Sequence, residues 1–259
     1  MTPRQAARGG SPRPRVRPES GAAPPPRAEV RPAGDQAYLI RLGDEISAAN
    51  HARVFGALAA LDAARPAFVV DCVPAYASIL VVYDPLAAAP EAVREWIDAA
   101  LAGASRAAPA RRVVTVPVWY DPEVGLDLVD TARLLELAPE TVVALHTGTS
   151  YLAHMLGFKP GFPYLGTLDE RLAAPRLPAP RLAVPAGSVA IAGRQTGIYP
   201  VRCPGGWRVL GRTPLRIFAP ERPEPFAILP GDEVRFEAID RERFAGLSAR
   251  EAARDGGTA

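Results

Sequence analysis

Two hydrophobic patterns divide the chain. From residue 35 to 121, β-rich runs alternate with stretches of helical spacing. "DQAYLIRLG" reads as a short strand. "SAANHARVFGALAALDAAR" follows, with Ala52, Phe55, Leu58, Ala59 and Leu61 at helical intervals and Ser47 placed to cap the first turn. In "AFVVDCVPAYASILVVYDP" two apolar runs flank "VPAYAS", the signature of a hairpin or a tight connection. "APEAVREWIDAALAGA" gathers Val93, Trp96, Ile97, Ala100 and Leu101 on one helical face and stops at Gly103. "RRVVTVPVWYD" is another strand. The order β-α-β-β-α-β predicts an α+β domain of ferredoxin-like type over 35–121.

The pattern changes near residue 122. "LDLVDTARLLEL" predicts a helix capped by Asp130 or Thr131, and "APETVVALHTG" a second with Pro139 in its first turn. Beyond His146, short strands punctuated by proline and glycine run to "DEVRFEAI". That is an all-β barrel or sandwich pattern. With its leading helices it makes a second domain over 122–240. Residues 241–259 read as a C-terminal tail holding one helix.

The first 34 residues differ again. They hold eight prolines and few apolar residues, too few to offset the entropy of ordering, so a disordered tail is expected. Seven arginines and two glutamates in residues 1–32 concentrate the basic charge there, leaving −3 on the rest of a chain whose net charge is +2. No basic stripe marks the body, which argues against nucleic acid as a partner. No apolar run approaches the roughly 18 residues needed to cross a bilayer. The N-terminus lacks the apolar core of a secretory signal, and the two cysteines, Cys72 and Cys203, have neither CxxC nor metal-ligand spacing. A cytoplasmic protein that holds no metal of its own is expected.

No phosphate loop, dinucleotide fingerprint, nucleophile elbow or HExxH motif occurs. The histidines are scattered. His51, on the first helix, reads as a surface or half-buried residue, and His154 as a core residue of a strand. His146 stands at the joint between helix and strand, a fair place for a site. The densest chemistry lies in three blocks. "GFKPGFPYLGTL" alternates glycine and proline with Phe158, Phe162 and Tyr164. "PRLPAPRLAVPAGSVAIAG" places Arg176 and Arg181 in a proline-stiffened loop. "AGRQTGIYPVRCPGGWRVLGRTP" sets Gln195, Thr196, Tyr199, Trp207, Arg212 and Thr213 among turn-formers. Proline fixes φ and glycine permits close backbone approach, so such blocks build a rigid wall around a small polar ligand. Exposed glycine N–H groups can also bind anions, as a nest does.

These blocks, from His146 to Phe218, closely resemble the family of KipI and the 5-oxoprolinase B component, also described as allophanate hydrolase subunit 1. "GDQAYLIRLGDEIS", "VPAYASILVVYDP" and "LPGDEVRFEAI" extend the resemblance over about residues 33–240. It implies a cyclophilin-like β-barrel after a small α+β domain. It also implies a non-autonomous component of an ATP-dependent 5-oxoprolinase. Such a chain works with a KipA-like C component and an A component to open 5-oxo-L-proline to L-glutamate. ATP with Mg²⁺ would be shared with or held by the partner. Within that scheme His146 is the candidate acid–base group, Arg212, Arg194 and the backbone N–H groups near Gly205 and Gly206 are candidate charge stabilisers, and Tyr164, Gln195, Thr196, Tyr199, Gly205, Gly206 and Thr213 candidate substrate contacts. Two other functions accompany the resemblance: inhibition of a sensor histidine kinase, and a carboxyltransferase component acting on urea-like amides. The chain departs from the family at Cys203, where serine is usual, and at Arg194, where a small residue is common. Arg194 would either narrow the pocket or bind an anion.

Overall fold

The computed structural model describes residues 28–104 and 112–256. The tail expected over 1–34 therefore lies outside the described residues up to 27. Its last part is ordered as strand β1 (Glu29–Pro32).

β1 joins β2 (Ala37–Arg41), β3 (Val69–Pro74) and β4 (Ser78–Tyr83) in an antiparallel sheet of order β1-β2-β4-β3. Helices α1 (Ala48–Ala63) and α2 (Pro90–Ala102) cover one face, burying Ile40, Val54, Leu61, Ile79, Val81, Val93 and Ile97. Ser47 caps α1 as expected, its hydroxyl accepting from the Asn50 N–H at 3.2 Å. The buried line of α1 is His51, Val54, Ala57 and Leu61, while Ala59 is exposed. His51 is thus buried, not a surface residue.

The ferredoxin-like expectation requires a correction. Its last strand, β5 (Val113–Trp119), does not enter this sheet, and β1 occupies the place beside β2. β5 instead runs parallel to β13 (Glu233–Ile239), paired from Val113 to Trp119. The reason is burial. Residues 116–119 are buried consecutively, so both faces of the strand need cover, which the edge of a one-faced sheet does not give. The charged, proline-ended β1 suits an exposed edge.

β5 and β13 belong to a closed barrel of order β10-β7-β6-β13-β5-β12-β9. The others are β6 (Ser150–Leu156), β7 (Pro163–Gly166), β9 (Ser188–Ala192), β10 (Gln195–Ile198) and β12 (Arg208–Arg212). Val116, Val118, Tyr151, Leu165, Ile191, Ile198, Leu210 and Phe236 belong to its core, with contributions from α3 (Leu128–Leu134) and α4 (Pro139–Thr147). α3 starts after Asp127, not at Asp130 or Thr131, and Asp127 makes no side-chain cap bond. Its carboxylate is committed elsewhere, as described below. A ribbon of β8 (Arg181–Val184) and β11 (Cys203–Gly205) lies over the outer wall. Residues 241–256, expected as a tail with one helix, form α5 (Arg241–Gly256), which sets Phe244 5.4 Å from Trp119.

Candidate functional site

Strand alternation decides what faces the site. Along β10, Thr196 and Ile198 point into the barrel, while Gln195, Gly197 and Tyr199 point out. Outside, an aromatic cluster gathers under the β8/β11 ribbon. Phe162 is its hub, edge-to-face with Tyr164 at 5.0 Å, Tyr199 at 5.2 Å and Trp207 at 5.4 Å. These rings line a cleft of about 270 Å³ with Phe158, Arg176, Pro180, Pro204, Gly205 and Gly206.

Two glycines are there because rings are. A Cβ at Gly197 would lie 2.8 Å from Phe162 Cζ, and one at Gly205 would lie 2.7 Å from Tyr199 Cε1. At Gly206 the nearest atom is 3.6 Å away, on Pro180. Gly205→Ala is therefore expected to lose about 1–3 kcal/mol of stability by overpacking, and Gly206→Ala little. Urea denaturation of the two variants measures the contrast.

Burial pushes the Tyr164 and Tyr199 phenols up, and the Arg176 guanidinium pulls both part of the way back. The Trp207 backbone N–H donates to Tyr199 Oη at 3.4 Å. Arg176 itself has no carboxylate partner among the described residues. Arg181 contrasts with it. Its guanidinium grips both oxygens of buried Asp127 at 2.7 Å, and Asp127 also accepts from the Val209 N–H at 2.8 Å. That clamp ties the ribbon to the barrel. Burial also pushes the Cys203 thiol up, so it stays protonated among the packed rings.

Of the residues singled out in the sequence, Tyr164, Tyr199, Gly205 and Gly206 meet in this cleft. His146 and Thr196 do not. His146 is fully buried, its Nε2 2.9 Å from Thr196 Oγ1 and its Nδ1 2.7 Å from Tyr120 Oη. Burial lowers its pKa to about 3, so it stands as a neutral core group rather than an acid–base catalyst. Thr196 is absent from the cleft because it turns inward on β10 to meet His146. Because the folded pKa of His146 lies below that of the unfolded chain, the unfolded state binds more protons between about pH 3 and 6.5. Stability from this group is full above pH 6.5 and falls on acidification, by up to about 1.4 kcal/mol per pH unit. Denaturation midpoints that stay flat from pH 6.5 to 4 would contradict this.

Gln195 faces outward, yet its amide donates to the hydroxyl of Tyr76, from the "VPAYAS" turn. The Tyr76 ring lies 6.0 Å from Tyr164 and 5.5 Å from His154, joining the N-terminal sheet to the edge of the cleft. Arg212 and Thr213 line a different cavity, of about 400 Å³, against α5. There the Arg212 Nε donates to the Ala186 carbonyl at 2.9 Å and the Thr213 N–H to the Gly187 carbonyl at 2.9 Å. Arg194 is not in the cleft lining and so does not narrow it; it pairs with Glu170 at 3.1 Å on the surface. Arg176, Phe158 and Trp207, which the sequence does not single out as ligand contacts, also line the cleft. Their signal was the density of aromatics and prolines in the same blocks.

A larger cavity of about 550 Å³, lined by Arg112, Arg222 and Arg254, is less suited to bind an anion because its cations are already neutralised. Arg112 pairs with Asp232 at 2.6 Å, and Glu251 takes Arg222 at 2.7 Å and Arg254 at 3.5 Å. Among the described residues no group of three or more His, Cys, Asp or Glu side chains assembles to hold a metal. No helix among them is long and apolar enough to cross a membrane.

Comparison with known proteins places this geometry among relatives. Residues 28–228 match the family described as carboxyltransferase domain, subdomain C and D. The B component of 5-oxoprolinase from Bacillus subtilis (strain 168) is 38% identical over 229 residues, covering 84% of this chain and 95% of that one. The protein of the same name from Escherichia coli O157:H7 is 39% identical over 214 residues, covering 81% and 95%. The crystal structure of TTHA0988 superposes with a TM-score of 0.71 at 39% identity; the match covers 82% of this chain but 40% of that longer one. Kluyveromyces lactis urea carboxylase shares the fold at 17% identity, with a TM-score of 0.70 over 90% of this chain and 24% of its own.

Proposed function

The chain belongs to the carboxyltransferase subdomain C and D family, among its 5-oxoprolinase B components, and on that premise we propose that it serves as the B component of an ATP-dependent 5-oxoprolinase. In this role its aromatic cleft takes up 5-oxo-L-proline. The observation that carries the assignment is Arg176, a cation without a carboxylate partner among the described residues, at a cleft of about 270 Å³ walled by aromatic rings. A five-membered lactam carboxylate offers the complementary features: a flat ring for Phe162, Tyr199 and Trp207, and an anion for Arg176. The Tyr199 phenol, held protonated by burial, donates to the lactam carbonyl.

The chemistry beyond binding belongs to the assembly. The sequence carries no phosphate-loop motif, and the described residues gather no group of three or more His, Cys, Asp or Glu side chains. ATP and Mg²⁺ are accordingly assigned to the partner side, a KipA-like C component with an A component, and no phosphoryl-transfer step is assigned to residues of this chain. Its own work is to bind and orient the lactam and to keep its carbonyl hydrogen-bonded.

The test is reconstitution with the cognate A and C components, omitting each in turn, while ATP hydrolysis and glutamate release are followed. Lactam-dependent glutamate release is expected only when this chain is present. Undiminished release in its absence would refute the assignment.

A further inference from the structure

Phe158 holds a costly backbone conformation without the burial that would offset it. Its φ is +62°. The Lys159 N–H reaches back to the Gly157 carbonyl at 2.6 Å, closing a three-residue turn centred on Phe158. Such a γ-turn with positive φ is rare and strained, and a bulky aromatic residue in that region is an outlier. The loop is locked around it: Phe162 N–H donates to Lys159 O at 2.9 Å, and Gly157 N–H to Phe162 O at 3.1 Å. Yet the residue remains 56% exposed.

The position of the ring accounts for the strain. One side lines the aromatic cleft, edge-to-face with Phe162 at 5.6 Å and Tyr199 at 6.4 Å. The residue also lines a second groove of about 340 Å³, with Lys159, Pro160, Gly161 and Phe226. Phe158 is thus shared by the two spaces. Strain held at a ligand-facing position points to a task there.

We infer that Phe158 is the gate of the cleft and determines which ring sizes enter it. Held by its turn, the ring partitions the cleft from the neighbouring groove and so limits the size of ring the cleft admits. Removing the ring joins the two spaces. The choice of ligand rests on the proposed function; the gate itself does not.

The full chain carrying Phe158→Gly tests this, since glycine adopts positive φ freely. Its melting temperature is expected to stay within about 3 °C of the native value, strain relief offsetting the added freedom of the unfolded chain. Acrylamide quenching of tryptophan emission is expected to rise, and the rise to vanish when Trp207→Phe is added. In the reconstituted enzyme, KM for 5-oxo-L-proline is expected to rise about tenfold. The preference for it over the six-membered 6-oxopiperidine-2-carboxylate is expected to fall by a similar factor. Unchanged quenching, whatever the melting temperature, overturns the gate and leaves Phe158 a structural plug. If the native enzyme does not turn over 5-oxo-L-proline, the substrate assignment fails, and the quenching comparison still decides the gate.

Discussion

Arg181→Ala is expected to lower the stability of the protein by about 3–5 kcal/mol, because it strands a buried carboxylate. Asp127 is 3% exposed and receives both guanidinium nitrogens of Arg181 at 2.7 Å. Without Arg181 it retains the Val209 N–H alone among these bonds. The consequence reaches the cleft, because Arg181 begins β8 and so anchors the ribbon that carries Cys203, Pro204 and Gly205. Urea denaturation should show the loss, and hydrogen exchange should show the β8/β11 amides opening first. The double variant Arg181→Met/Asp127→Leu should recover much of the stability, since it leaves no charge unpaired. A single-variant loss below about 1 kcal/mol would mean that the pair behaves as a surface salt bridge.

Arg176→Gln is expected to do the opposite: to leave stability nearly unchanged and damage binding. The side chain is exposed and has no carboxylate partner among the described residues, so its loss falls within the roughly ±0.5 kcal/mol of ordinary surface changes. A charge-assisted bond to a substrate carboxylate is worth about 1.5–3 kcal/mol, which corresponds to a rise in KM for 5-oxo-L-proline of about 10- to 100-fold. Steady-state kinetics of the reconstituted enzyme measures it. Arg176→Lys should recover part of the affinity, keeping the charge while losing the planar fork. An unchanged KM for Arg176→Gln would place the carboxylate elsewhere.

The fold was legible where one element's pattern is enough to define it. Ser47, the helical spacing of α2 and Pro139 of α4 are local signals, and each element formed where they point. What failed depended on partners. β5 reads as a good strand, but only its pairing with β13, more than a hundred residues away, shows that it belongs to the barrel. β1 was hidden in proline- and arginine-rich sequence, though an exposed edge tolerates both. The site divided in the same manner. Tyr199 and Gly205 were found because turn-formers crowded around large side chains. Thr196 and Gln195 were assigned to the same wall as Tyr199, but alternation along β10 sends Thr196 to His146 in the barrel core and leaves Gln195 to Tyr76. Arg176 went unassigned because a chain with thirty basic residues, all but Lys159 arginine, gives no reason to favour one. Only the three-dimensional structure shows that Arg181 is spoken for and Arg176 is not.

The most direct test of the central claim is a crystal structure of the assembled complex soaked with 5-oxo-L-proline. The lactam is expected in the cleft against the wall of Phe162, Tyr199 and Trp207, its carboxylate on the Arg176 guanidinium and its carbonyl toward the Tyr199 hydroxyl. Lactam bound wholly on a partner protein, with this cleft empty, would contradict the account.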